Sequence, residues 1–146
     1  YFLMKNILFV CTGNSARSII AESIINNEYS NKFKAYSAGS NPTGKINKDI
    51  KEFLEKSKNY NIQKYSSKNF DIFIKSEIKM DYVITVCNNA NNEVCPVWPD
   101  KKQIIHWNIE DPVPKIYNSN DCEKHIIINN TFNDINKRIS DLINDE

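Results

Sequence analysis

The sequence predicts an α/β fold: a single domain with a four-stranded parallel sheet flanked by helices in three layers. Two observations predict it. Short apolar and β-branched runs alternate along the chain with helical patterns. Such alternation implies right-handed crossovers between parallel strands, with both faces of the sheet covered. The length, 146 residues with 40% hydrophobic and 25% charged content, suits one domain with a real core, expected over residues 4–146. Tyr1, Phe2 and Leu3, ahead of Met4, read as an appended remnant outside that domain.

Taken in order, "KNILFV" (5–10) reads as a buried strand. Residues 18–28 read as a helix, with Ile20 and Ile24, and Ala21 and Ile25, at i,i+4 spacing. "FKAYSAG" (33–39) is a second short strand closing on Gly39. "NKDIKEFLEKSKNY" (47–60) reads as one amphipathic helix, with Ile50 and Leu54 four apart and Phe53 beside them. Residues 61–80 suggest a loop and a short helix near "FDIFIKSEI". "DYVITV" (81–86) and "QIIHW" (103–107) are the third and fourth strands. A long helix over 121–143 carries Ile128, Phe132, Ile135, Ile139 and Leu142 at alternating spacings of four and three. In a parallel sheet of this kind, ligands bind at the carboxyl ends of strands. Cys11, Cys87 and the segment after Trp107 all lie just past such ends and are expected to converge.

The stretch "VCTGNSARS" joins the first strand to the first helix. A loop of this kind points several backbone N–H groups into one concavity, and a helix N-terminus behind it adds to the attraction for an oxyanion. Arg17 supplies a planar fork for two oxygens of a tetrahedral anion. The same positive field favours thiolate at Cys11, and Ser18 can donate a hydroxyl hydrogen bond to it. Gly13 and Asn14 suit the unusual backbone angles of a tight loop. The candidate anion site is therefore Thr12, Gly13, Asn14, Ser15, Ala16, Arg17 and Ser18, with Cys11 as nucleophile.

"VCTGNSARS" resembles the active-site loop of the low-molecular-weight protein tyrosine phosphatase superfamily, which includes the phosphatase-like arsenate reductases. The similarity extends through "YSAGSNP" (36–42), "VITVCNNANNEVCPVWP" (83–99) and "HWNIEDP" (106–112); the last two segments look like arsenate reductases in particular. The resemblance implies a flavodoxin-like three-layer arrangement, a Cys11 nucleophile, an Arg17 and backbone cradle, and Asp111 where the family keeps its general acid. Two departures stand out. Ala16 occupies a place where arsenate reductases of this type often carry a further cysteine. The separation of Cys87 from Cys95 is slightly longer than in the thioredoxin-coupled members.

In the redox reading, Cys11 forms a thiol–arsenate adduct, Cys87 attacks its sulfur and expels arsenite, and Cys95 resolves the resulting disulfide. Disulfide formation needs Cα atoms within about 7 Å, so the polar stretch "NNANNEV" is expected to move. Thioredoxin, or glutaredoxin with a small thiol, would supply electrons, and the substrate would be arsenate or a phosphate-like oxyanion. No cofactor or metal is implied. Cys122 reads as a packing residue of the last helix, His106 and His125 as structural, and Trp98 and Trp107 as packing residues. Asp111, ahead of Pro112, is placed to protonate a leaving oxygen.

Other classes are disfavoured. A net charge of +1, from 19 basic and 18 acidic residues, leaves no electrostatic footprint for nucleic acid or an anionic membrane. No apolar run approaches the ~20 residues of a membrane helix, and no signal peptide is recognised. A cytoplasmic protein with free thiols is expected. "GSNPTGKI" (39–46) matches the G-x4-G-K of a nucleotide-binding loop, but Ile46 cannot ligand Mg²⁺ and Pro42 removes an N–H. Arsenate reduction is the leading expectation. A phosphatase working through a phosphocysteine is the alternative, and an idle anion sensor sits poorly with an intact Cys11–Arg17 pair. "DPVP" after the fourth strand lacks the aromatic residues with which the family's tyrosine phosphatases hold a phenyl ring.

Overall fold

The computed structural model describes residues 4–88 and 104–145. Four strands, β1 (Lys5–Cys11), β2 (Phe33–Gly39), β3 (Tyr82–Cys87) and β4 (Ile104–Asn108), form one parallel sheet in the order β2-β1-β3-β4. The expected sheet is therefore present, and β1 lies inside it. Its register pairs Cys11 with Gly39 on one side and Val10 with Thr85 on the other. This brings the ends of β1, β2 and β3 to one edge.

The period-two alternation of the strands divides the core in two. Ile7 and Phe9 face α1 (Arg17–Glu28) and the long C-terminal helix, packing with Ile19, Ile20 and Ile24 and with Ile128, Phe132, Ile135 and Ile139. Leu8 and Val10 face the other way, toward Ala38, Val83, Phe73 and Met80. Phe73 comes from α3 (Asp71–Ile74), the short helix expected near residues 70–78. Trp107 is buried and packs on Phe9 with ring centroids 5.8 Å apart, the packing role expected of it. Trp98 and Cys95 lie outside the described residues.

Three local expectations are corrected. The helix expected over 47–60 begins at Lys48, capped by the Asn47 side chain, but only Lys48–Glu52 is α-helical. Phe53–Ser57 widen into a π turn, together forming α2, and Asn59 then takes φ 58, a left-handed conformation through which a helix cannot continue. A short helix, α4 (Val113–Tyr117), follows Asp111–Pro112 where no element was expected; Pro112 at its start suits the opening of a helix. The last helix, α5 (Asp121–Asn144), opens on a reciprocal cap: Asn120 Oδ1 accepts the Glu123 N–H at 2.9 Å while the Glu123 carboxylate reaches the Asn120 N–H at 3.4 Å. Cys122, in its first turn, is an exposed free thiol rather than a packing residue, because that turn overhangs solvent before the buried stripe starts at Ile128. Among the described residues no helix is long and apolar enough to cross a membrane.

Candidate active site

The loop from Cys11 to Arg17 is held from outside. The N–H groups of Ser40, Asn41, Thr43 and Asn47 donate to the carbonyls of Cys11, Thr12, Gly13 and Ser15 at 3.1, 2.9, 3.0 and 3.0 Å. A trans peptide is planar, with its C=O and N–H antiparallel. With those four carbonyls turned outward, the N–H groups of Thr12, Gly13, Asn14 and Ala16 face the opposite, inner side. This is the inward-facing N–H arrangement expected of the loop, and most of its buttress is the segment (39–46) that mimicked a nucleotide-binding loop. Three of that segment's N–H groups, those of Ser40, Asn41 and Thr43, are directed at the loop carbonyls.

Gly39 lets the two segments approach. A Cβ there would lie 2.4 Å from the Thr12 carbonyl oxygen and 3.1 Å from Asn14 N. Within the loop, Asn14 adopts φ 47, the left-handed conformation anticipated for it. Gly13 does not, which corrects that part of the expectation; its lack of a side chain serves instead to admit Thr43, whose Cγ2 would be 3.3 Å from an added Cβ.

The Cys11 sulfur is buried and lies between two groups: the Asn14 N–H donates to it at 3.1 Å, and Ser18 Oγ sits 2.9 Å away. The direction of the second bond follows from its neighbours. Asn14 Oδ1 accepts the Lys68 N–H at 2.9 Å, which fixes the amide orientation. Asn14 Nδ2 then donates to both Ser18 Oγ at 2.8 Å and Ser37 Oγ at 3.0 Å. The Ser37 hydroxyl donates to Glu22 Oε1 at 2.6 Å, and the Ser18 hydroxyl proton is left for Cys11. Two donors are thus directed at the one sulfur.

Glu22, Ser37 and Lys68 were not legible as site residues. A Glu in a helix reads as solvent-facing, yet Glu22 is buried. Burial pushes its carboxyl above the usual carboxylate range, opposed by the Lys68 charge and the Ser37 hydrogen bond. Burial likewise lowers Lys68, with Glu22 acting in the opposite sense.

Arg17 is buried at the start of α1. Its Nη1 donates to the Ile109 carbonyl at 2.8 Å, and Nη2 lies 3.8 Å from Asp111 Oδ2. The fork is thus aimed from the loop that follows β4. Asp111 is half-exposed, and its Oδ1 accepts the Val113 N–H at 3.0 Å, which orients the carboxyl at the start of α4. Of the expected convergence of Cys11, Cys87 and the segment after Trp107, that segment meets the anion loop through Arg17 and the end of β3 through the Cys87 carbonyl.

Cys87 ends β3 beside β1, fully buried, and its carbonyl accepts the Ile109 N–H at 3.3 Å. Cys87 is disulfide-bonded, whereas Cys11 and Cys122 are free thiols. Phe9 pairs with Ile84 on the sheet face that also carries Cys11 and Val86. Strand alternation therefore assigns Cys87 to the opposite face, with Val83 and Thr85. His106 and His125 are engaged elsewhere: His106 Nδ1 is 2.9 Å from Thr85 Oγ1, and His125 packs on Phe53.

Comparison with known proteins agrees with this geometry. An arsenate reductase of Bacillus cereus (strain 03BB102) is 37% identical over 111 residues, 76% of this chain and 79% of that protein. An arsenate reductase of Halalkalibacterium halodurans is 33% identical over 135 residues, 92% of each chain. Among solved structures, an arsenate reductase from Archaeoglobus fulgidus matches with a TM-score of 0.67 at 25% identity, over 92% of this chain and 98% of that one. The family model described as low molecular weight phosphotyrosine protein phosphatase matches residues 6–145. With a strand, anion nest, cysteine and buried arginine arranged as described, this chain belongs to the low molecular weight phosphotyrosine protein phosphatase family.

Proposed function

We propose that this chain reduces arsenate to arsenite with cysteine thiols, Cys11 being the nucleophile. The observation that carries the reading is the Cys11 sulfur, held by two donors beside an inward-facing N–H nest and the buried Arg17. The relatives named arsenate reductase, 37% and 33% identical, support the same substrate.

In the first step the nest (Thr12 to Ser18) and the Arg17 fork hold arsenate, and the Cys11 thiolate attacks arsenic. One As–O bond breaks, and Asp111 gives the departing oxygen its proton so that it leaves as water. In the second step the Cys87 thiolate attacks the Cys11 sulfur. An S–S bond forms, the S–As bond breaks with its electron pair on arsenic, and arsenite leaves. In the third step the Cys95 thiolate attacks the Cys87 sulfur and frees Cys11 as a thiolate. Two electrons and two protons from an external dithiol restore the enzyme; thioredoxin, or glutaredoxin with a small thiol, is the donor class.

The second step needs movement. Cys87 belongs to the face of the sheet opposite Cys11, so the end of β3 must turn over. Its 3.3 Å bond from the Ile109 N–H is among the longer backbone bonds at that edge and is given up in doing so. Ile109 also receives Arg17 Nη1, so this movement is coupled to the arginine.

Hydrolysis of phosphate esters is the second reading, favoured by the family and by Asp111 beside Arg17. Against a phosphotyrosine substrate, Val113 and Pro114 stand after Asp111–Pro112 where an aromatic wall would be needed, and Tyr117 is exposed at the end of α4. The two activities separate at Cys87, which hydrolysis does not use. Assayed in parallel on one preparation, Cys87→Ser is expected to lose arsenate reduction and to keep any aryl phosphatase activity. Arsenate reduction at wild-type rate by Cys87→Ser, with glutathione and glutaredoxin present, removes Cys87 from the mechanism.

A further inference from the structure

The Gly13–Asn14 peptide has both of its ends engaged. Its N–H donates to Cys11 Sγ at 3.1 Å. Its carbonyl, on the outer side of the loop, accepts the Thr43 N–H at 3.0 Å and the Ser67 hydroxyl at 3.0 Å. Ser67 Oγ itself accepts the Gly44 N–H at 3.1 Å, so its hydroxyl hydrogen is directed at Gly13. Ser67 touches neither the sulfur nor the inner face of the nest.

This peptide is the one most prone to turn over. Rotation about the two bonds that flank it would take Asn14 from φ 47 to the negative φ that residues with a Cβ prefer. It would also swing the N–H off the sulfur and bring a carbonyl toward it. The intrinsic preference of Asn14 therefore opposes the arrangement observed, and the two donors on the Gly13 carbonyl act against it. A carbonyl that accepts two hydrogen bonds also polarises the N–H at the far end of the same peptide.

We propose that Ser67 is a positioning residue for Cys11: its hydroxyl holds the Gly13–Asn14 peptide with the N–H on the sulfur, so that the nucleophile keeps both of its donors. The inference rests on Cys11 being the nucleophile, but its test does not depend on turnover. Ser67 directly precedes Lys68, whose N–H orients the Asn14 side chain. One strip of chain, 67–68, thus controls both the peptide and the amide of Asn14.

The experiment is the pH dependence of Cys11 alkylation by iodoacetamide in the full chain, read on the Cys11 peptide by mass spectrometry. Ser67→Ala is expected to raise the midpoint by about half a pH unit, which is about a threefold loss of thiolate below it. Ser67→Thr, which keeps a hydroxyl, restores the wild-type midpoint. With arsenate as substrate, kcat/KM of Ser67→Ala falls by the same factor at low pH and recovers at high pH. An unchanged midpoint in Ser67→Ala overturns the proposal, as does a shift in Ser67→Thr equal to that in Ser67→Ala. Turnover surviving in Cys11→Ser would instead overturn the nucleophile reading, and a Ser67-dependent midpoint would still stand beside it.

Discussion

Replacing Gly39 by Ala tests how closely the buttress must approach the anion loop. The new Cβ would lie 2.4 Å from Thr12 O, whereas ordinary contact begins at 3.4 Å. The obstacle is backbone, not the tip of a flexible side chain, so the Thr12 carbonyl must retreat by about 1 Å in a close-packed region. Gly39 has no left-handed φ, so alanine's own backbone preferences add nothing. The retreat stretches the 2.9 Å bond from the Asn41 N–H and turns the Thr12–Gly13 peptide, whose N–H belongs to the nest. Overpacking of this kind costs about 1–3 kcal/mol of stability, or a Tm lowered by roughly 2–12 °C for a chain of this size. A misplacement of about 1 Å in an anion site costs about 100-fold in rate, or about 2.7 kcal/mol of transition-state stabilisation. Steady-state arsenate reduction under saturating reductant, with a thermal melt of the same sample, measures both. Gly13→Ala is the control: its Cβ meets the Thr43 methyl at 3.3 Å, which can give by a few tenths, and Ser15 Oγ at an ordinary 3.6 Å, so most activity is expected to remain. Gly39→Ala working within twofold of wild type, with an unshifted melt, would refute the buttress.

Arg17→Lys keeps the charge but loses the fork and the 2.8 Å bond to Ile109 O, and turnover should fall by about 10²–10³-fold; near-normal kinetics would show that the guanidinium does not hold the anion. Glu22 gives a pH signature in the melt. Its folded pKa is raised by burial, so the native state binds the extra proton between the ordinary value of 4.5 and the raised one, and stability falls as pH rises through that window. Glu22→Gln removes this slope while still accepting from Ser37, so the Tm difference between variant and wild type should grow with pH above 4.5; a constant difference would show that Glu22 is not destabilised by burial.

What could be read from the sequence was what side chains announce. Alternating strand and helix patterns located the sheet, and the cysteine and arginine flanking a loop at a strand end located the nest. Asn14 was legible because few residues tolerate a left-handed φ. The outer support was not legible, because Ser40, Asn41, Thr43 and Asn47 act through backbone N–H groups that any residue but proline carries. The G-x4-G-K match of 39–46 was set aside as a nucleotide-binding loop, but the close backbone approach at Gly39 was not read from it. Glu22 stayed hidden because its burial is set by Ser37 on β2 and by Lys68, 46 residues later in the chain. The early stop of α2 depends on one residue, Asn59, and on aromatic packing of Phe53 against Phe132 from α5, a contact distant in sequence. Asp111 was legible by position, but its orientation by the Val113 N–H required the helix α4 that the sequence reading missed.

The central claim is that two electrons pass from this chain's own thiols to arsenic. It is tested by one turnover of fully reduced protein with arsenate and no external thiol, followed by a thiol count, arsenite determination and peptide mapping. The account predicts one arsenite formed, two thiols lost, and one new intramolecular disulfide that includes Cys87, paired with Cys11 or, after exchange, with Cys95. Arsenate left unreduced by the thiol-replete chain, or arsenite formed with the Cys87 thiol still titratable, would contradict it.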